Sequence, residues 1–215
     1  MITPMANEWY RKTTWSDADR DDFEAHLKRS RGAANKSLYL LIQAEHLQDA
    51  SPPLYREALA LLERALTEWR YDSQRAVAFL RKAQCLLETE GFDAAIPFYR
   101  QSLEFEKQYT TTRTIAWREF PWQIVKHRRT DLYEEALKWL DIERVAYPID
   151  RYCMSTVCAI VWMHQGDPVN AKAVAATALK AAEIAFSGLR YHPNHGLVGD
   201  IEPWAKAELE RILSA

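Results

Sequence analysis

Two imidazoles stand close together towards the C-terminal end of the chain, His192 and His195, separated only by Pro193 and Asn194. A histidine pair invites a metal reading. Two imidazoles are too few for a closed site, and no cysteine or carboxylate cluster is positioned by the sequence to complete one. Arg190, Tyr191 and His192 therefore read as part of a loop folded against the last helical pair, with Gly196 and Gly199 at tight turns, and as secondary residues at the rim of a groove. Neither a metal nor a cofactor is expected. Cys85, Cys153 and Cys158 lack the short paired spacing of a zinc or redox motif. Cys153 and Cys158 are five apart on a helix and point away from each other by about 140°, so they read as small apolar packing residues in a reducing compartment. His26, His46, His127 and His164 have no serine or cysteine beside them in a nucleophile motif, and no glycine-rich phosphate loop occurs. No catalytic residue is expected, and the protein is not expected to be an enzyme.

Binding chemistry is better represented. Arg118 and Arg129 flank Trp122 at helical spacing, and arginine forms bidentate contacts with carboxylates and stacks on rings. The competing reading is that the indole wedges between helices while the arginines stay solvated, the more frequent fate of a tryptophan in a helical array. The run Lys126-His127-Arg128-Arg129 has the charge of a phosphate or nucleic-acid patch. It also falls at a helix end, where basic residues are favoured electrostatically, and it has no interleaved aromatics. With 28 basic and 30 acidic residues the chain carries a formal charge of −2, which gives no general reason to expect nucleic acid or a membrane surface as partner.

These residues are positioned by helices. Glycine is scarce while alanine, leucine, glutamate and arginine are plentiful, which favours helix over sheet. Residues 1–15 read as an irregular arm whose Trp9, Tyr10 and Trp15 need an apolar surface. Ser16 with Asp19 marks a capping-box start, followed by a helix with acids early and bases late. Helical pairs are expected at about 33–70, 73–108, 113–147 and 151–187, with a loop and a short closing helix over 188–215. Within them, helices are expected over Ala33–Gln48, Ile115–Arg129 with a bend or restart at Pro121, and Leu132–Tyr147. No apolar stretch approaches the roughly 18 residues of a membrane span, and the opening MITPMANEWYRKTTW lacks the basic-then-apolar run of a signal peptide. The expected setting is cytoplasmic.

The pairs echo one another. Ala171, Ala175 and Ala178 form one narrow helical stripe, repeated as Ala58-Leu62-Ala65, Ala95-Tyr99-Ser102 and, degraded, Ala136-Leu140-Glu143, with leading alanines 37, 41 and 35 residues apart. Small residues there let a second helix come very close. The segment from Gly91 to Tyr99, and Gly166-Asp167 with the alanines after it, resemble the second halves of tetratricopeptide repeats, over roughly Ala33 to Phe186. The end segments NEWYRKTTW and SGLRYHPNHGLVG are similar to a group of uncharacterised bacterial tetratricopeptide-type proteins. The resemblance implies an all-α, right-handed superhelical solenoid of about four hairpins with capping helices at both ends. It further implies a concave wall that binds a protein or peptide, lined by the first helix of each hairpin.

On that wall the helical wheel places Tyr39, Gln43 and His46; Arg81, Gln84 and Glu88; Arg118, Trp122, Val125 and Arg129; and Thr156, Ile160 and Met163. The expected function is a non-catalytic adaptor or scaffold. An immunity- or antitoxin-like protein that occludes one enzyme is a narrower alternative. A small-molecule sensor, or a helical hydrolase or transferase using the His192 loop with Glu88 or Glu119, comes from another class; it requires a closed cavity or converging titratable side chains instead of an open trough. Self-association through the alanine-rich last pair or the aromatic arm is a further expectation. Exchanging Arg118 and Arg129 for glutamate is expected to weaken partner capture and leave the helical melt nearly unchanged.

Overall fold

The arm finds its apolar surface on the first two helices. A computed structural model describes residues 8–215; residues 1–7, the beginning of the expected arm, lie outside the described residues. Trp9 packs on Phe23, His26 and Tyr39 with ring centroids 5.2, 5.2 and 4.8 Å away, and Trp15 meets Phe23 at 5.4 Å. Helix α1 (Asp17–Arg29) opens with the expected capping box: the Asp19 N–H donates to Ser16 Oγ at 3.2 Å and the Ser16 N–H to Asp19 Oδ2 at 3.0 Å. Those bonds from Ser16, with one from Thr14, hold the Asp19 carboxyl well below the usual carboxylate range.

The chain divides into two compact units, the first ending at Thr114 and the second running from Ile115 to Ala215. In the first, α2 (Ala33–Gln48), α3 (Tyr55–Thr67), α4 (Asp72–Thr89) and α5 (Phe92–Gln108) pack each against the next in sequence. The contacts run along the small-residue stripes, for Ala58, Leu62, Ala65, Ala95, Tyr99 and Ser102 are all buried. The approach is close enough that the Ser102 hydroxyl on α5 donates to the Ala76 main-chain carbonyl on α4 at 2.8 Å. A larger side chain at that point would hold the two helices apart.

The second unit contains α6 (Ala116–Lys126), α7 (Tyr133–Trp139), α8 (Pro148–His164), α9 (Pro168–Ala182) and α10 (Pro203–Ser214). α6 packs on α7 and α8, α8 on α9, and α10 on both α8 and α9. Ala171, Ala175 and Ala178 are fully buried on α9, which packs on α8 and α10. Among the described residues there is no strand, so the chain is all-α, with its helices packed in neighbouring pairs. No helix among them is long and apolar enough to cross a membrane.

Two expectations are corrected here. The helix expected over Leu132–Tyr147 stops at Trp139: Leu140 is extended, and the Asp141 carboxylate accepts the Glu143 N–H at 3.0 Å to form a single 3₁₀ turn. Tyr147 then precedes Pro148, whose ring disfavours a helical residue before it, and the degraded seam position Glu143 lies exposed. The loop after α9 is pinned by Gly196, one of the two turn glycines expected there, and by His195, not by the side chains of Arg190, Tyr191 and His192. Arg190, Tyr191 and His192 are exposed. The contacts come from His195, whose ring meets Tyr147 edge-on at 4.8 Å, and from Gly196, whose carbonyl accepts the Ile149 N–H at 2.9 Å. Gly196 has φ +70°, and a Cβ there would fall 2.5 Å from Tyr147 Cβ, so only glycine fits.

The seam predicts a position-dependent response on one helix. Ala171→Leu should lower stability in urea unfolding by about 1–3 kcal/mol, whereas Ala173→Leu, exposed on the same helix, should change it by less than about 0.5 kcal/mol. Equal effects would show that α9 does not pack through this stripe.

Candidate functional site

A carboxylate organises the second unit. Glu202, immediately before α10, accepts the indole N–H of Trp122 on α6 at 3.2 Å through one oxygen. Its other oxygen accepts the indole N–H of Trp204 at 2.8 Å and the Lys126 ammonium at 2.7 Å. The two indoles lie 4.9 Å apart, with Tyr152 of α8 5.6 Å from Trp122. Burial alone would raise the Glu202 carboxyl, but Lys126 and the two indole donors together bring it below the ordinary glutamate value. The start of α10 is thereby tied to α6 across 80 positions of sequence.

Beside this tie lies a cleft of about 730 Å³ lined by the C-terminal ends of α6 and α8 and by one face of α10. Val125 and Ile160 form buried parts of its wall, with Met163 and Trp204 half-buried beside them. Lys126, Arg128 and Arg211 bring positive charge to its edge and Glu208 negative charge. Glu208 bonds Arg211 at 2.8 Å and stands 3.8 Å from Arg128. Tyr133 also lines it: burial first and then Glu208 push its phenol upward, with Arg128 acting in the opposite direction. The volume is in the range of ligand and peptide-anchor sites. A smaller hollow of about 350 Å³ in the first unit is crossed by its own ion pairs, Arg64 with Glu24 and Glu68, and by Lys36 seated 3.9 Å over the Trp69 ring.

The residues expected on an inner stripe divide between the two units. Gln43 is fully buried and exchanges two hydrogen bonds with the Lys12 main chain, at 3.0 and 2.7 Å, so it fastens the arm. Tyr39 is half-buried under Trp9 and Tyr10. Arg81 is ion-paired with Glu45 and donates to Gln84 at 3.2 Å, while Glu88 is exposed. Trp122 is buried against Trp204 and Tyr152, which is the wedging role. Thr156 is fully buried as well. Arg129 closes a two-pronged contact on Asp131 at 2.9 and 2.8 Å. Met163, together with the stripe residues Val125 and Ile160, lines the cleft.

Arg118 requires a correction. It pairs with Asp150, which is buried and also accepts the N–H groups of Ala146 and Tyr147 at 3.2 and 3.0 Å. Removing one partner of a buried pair leaves an uncompensated charge, at a typical cost of about 3–5 kcal/mol. Glutamate at 118 would place a second carboxylate beside the first. The helical melt cannot stay unchanged in that variant, and capture by it would report folding.

Several contributors to the cleft were not singled out from sequence: Trp204, Glu208 and Arg211. Their spacing of four and then three is the signature of one helical face, so the closing helix could have been read as a wall as well as a cap. The cysteines lie outside this chemistry. All three are free, and burial pushes Cys85 and Cys153 up to about 12 and Cys158 to about 11, the opposite of an activated thiolate. Among the described residues no group of three or more His, Cys, Asp or Glu could hold a metal ion.

Because the Glu202 carboxyl is depressed in the folded state, its stabilising contribution is present above the ordinary glutamate value and lost as pH falls through the depressed one. Urea midpoints taken from neutral pH down to about pH 3 should therefore converge for wild type and Glu202→Gln at the acid end, with wild type higher at neutral pH. A gap that is constant with pH would remove the ionised anchor. No protein-family model, no curated protein and no solved structure matches this chain.

Proposed function

We infer that this chain is a non-catalytic adaptor that captures a protein segment in the cleft of its second unit. We infer also that its helical pairs are imperfect tetratricopeptide-like hairpins of a right-handed array, acting in the cytoplasm. The observation that carries the binding role is the cleft itself, apolar within through Val125, Ile160 and Met163 and charged at its edge through Arg128 and Arg211. Such a combination suits a side chain that inserts and a polar neighbour that orients it. The buried seams of α3, α5 and α9 support the repeat reading, since small residues recur where one helix of a pair meets the other.

Selection of random dodecapeptides against the full chain tests this role. Enriched peptides should bind wild type, and Met163→Glu, which puts a charge into a half-buried apolar wall, should lower their affinity by about tenfold or more with the urea midpoint little changed. Failure to enrich any peptide, or equal binding by Met163→Glu, would contradict it.

A further inference from the structure

The turn between α6 and α7 contains an unusual choice of residue. All six glycines of the chain have positive φ, from 66° to 92°. Among the described residues the one other position with positive φ is Arg128, at 53°. A β-carbon in the left-handed region crowds the neighbouring carbonyl, so glycine, and after it asparagine, is the residue ordinarily found there.

The corresponding turns of two of the three other pairs follow that rule, while the first pair turns through Asp49 to Pro53 with neither glycine nor positive φ. After α4, the Gly91 N–H reaches the Leu86 carbonyl at 2.9 Å. After α8, the Gly166 N–H reaches Met163 at 3.3 Å and the Asp167 N–H reaches Trp162 at 2.9 Å. α6 ends with the same two bonds, Arg128 N–H to the Val125 carbonyl at 3.1 Å and Arg129 N–H to the Ile124 carbonyl at 3.0 Å. Here, however, an arginine occupies the position that glycine holds after α4 and α8. Its side chain is 82% exposed, so burial does not offset the backbone conformation.

That exposed guanidinium stands at the edge of the cleft. Its nearest acid is Glu208 at 3.8 Å, the outer limit of an ion pair, and Arg211 bonds the same carboxylate at 2.8 Å. Lys126 is held by Glu202. Two guanidiniums thus share one carboxylate beside the apolar wall of Val125, Ile160 and Met163. The complement to that arrangement is a second carboxylate adjoining an apolar side chain.

We propose, on the basis of the peptide-capture role above, that Arg128 is a specificity-determining residue kept in a left-handed conformation to hold an acidic side chain of the captured segment. The occupant of the cleft is then an acidic stretch of protein in which Asp or Glu neighbours Leu, Met or Phe. A planar, forked donor suits this task better than a lysine ammonium would.

The dodecapeptide selection tests this when the peptides are displayed through their C-terminal ends, so that no chain-end carboxylate is offered. Enriched sequences should place Asp or Glu within one or two positions of Leu, Met or Phe. For a synthetic enriched peptide, Arg128→Gly should weaken binding by about tenfold or more, and Arg128→Lys by less. The same Arg128→Gly protein should melt about 2 °C higher than wild type, because the left-handed position is relieved. A merely structural arginine would move stability the other way. Enrichment without acidic residues, or equal binding by Arg128→Gly while Met163→Glu still abolishes it, overturns the role of Arg128 and leaves the cleft standing. An Arg128→Gly protein that melts lower, or displacement of the peptide by a thymidine oligonucleotide as readily as by unlabelled peptide, also overturns it.

Discussion

Close approach of helices through small side chains is the constraint on which the rest of this architecture depends. A helix pair with large residues at every contact point cannot bring its main chains near enough for a Ser102 hydroxyl to reach the Ala76 carbonyl. With alanine or serine at the contact and one bulky residue between, as in Ala95-Tyr99-Ser102, the two helices are held both near and in register. The recurrence of that stripe in α3, α5 and α9 makes each pair stiff. A stiff pair is a suitable base for side chains that must keep a fixed separation at a surface.

In the second unit this stiffness is used together with a charged anchor. α8 and α9 close on their alanines, α10 packs across both, and Glu202 then draws α10 to α6 through two indole donors and an ammonium. Each bond is modest for a partly exposed group. Their common effect is geometric: they fix the start of α10 beside the end of α6, where Lys126 and Trp204 also line the cleft. Arg118 and Asp150 serve the same end at the opposite end of α8, where a buried pair fixes the entry of the chain into that helix.

Much of the helical order was legible from residue spacing. Ala33–Gln48 was bounded by Gly32 and a proline-rich break, and three of the four stripes are buried where period alone placed them. The third pair was misread after Trp139 because its apolar period continues on paper while Asp141 and the approach to Pro148 favour a turn. The candidate stripe was harder to read, for a physical reason. A helical wheel separates faces but does not say which neighbour covers each face, and Gln43 and Thr156 are covered by contacts that no local pattern announces. Glu202 and Trp122 are 80 residues apart, so their bond leaves no trace in spacing. The left-handed turn at Arg128 leaves none either: glycine stands at the turns 91 and 166, but the first pair turns through Asp49 to Pro53 without one, so a missing glycine does not mark a left-handed residue.

Amide hydrogen exchange of the full chain, with and without an enriched acidic peptide, addresses the central claim most directly, because it reads where a ligand slows opening without altering any residue. The account predicts slowed exchange concentrated in residues 124–130, 160–166 and 204–211, the segments around the cleft. Slowed exchange confined to the first unit, or spread evenly over both units, would contradict it.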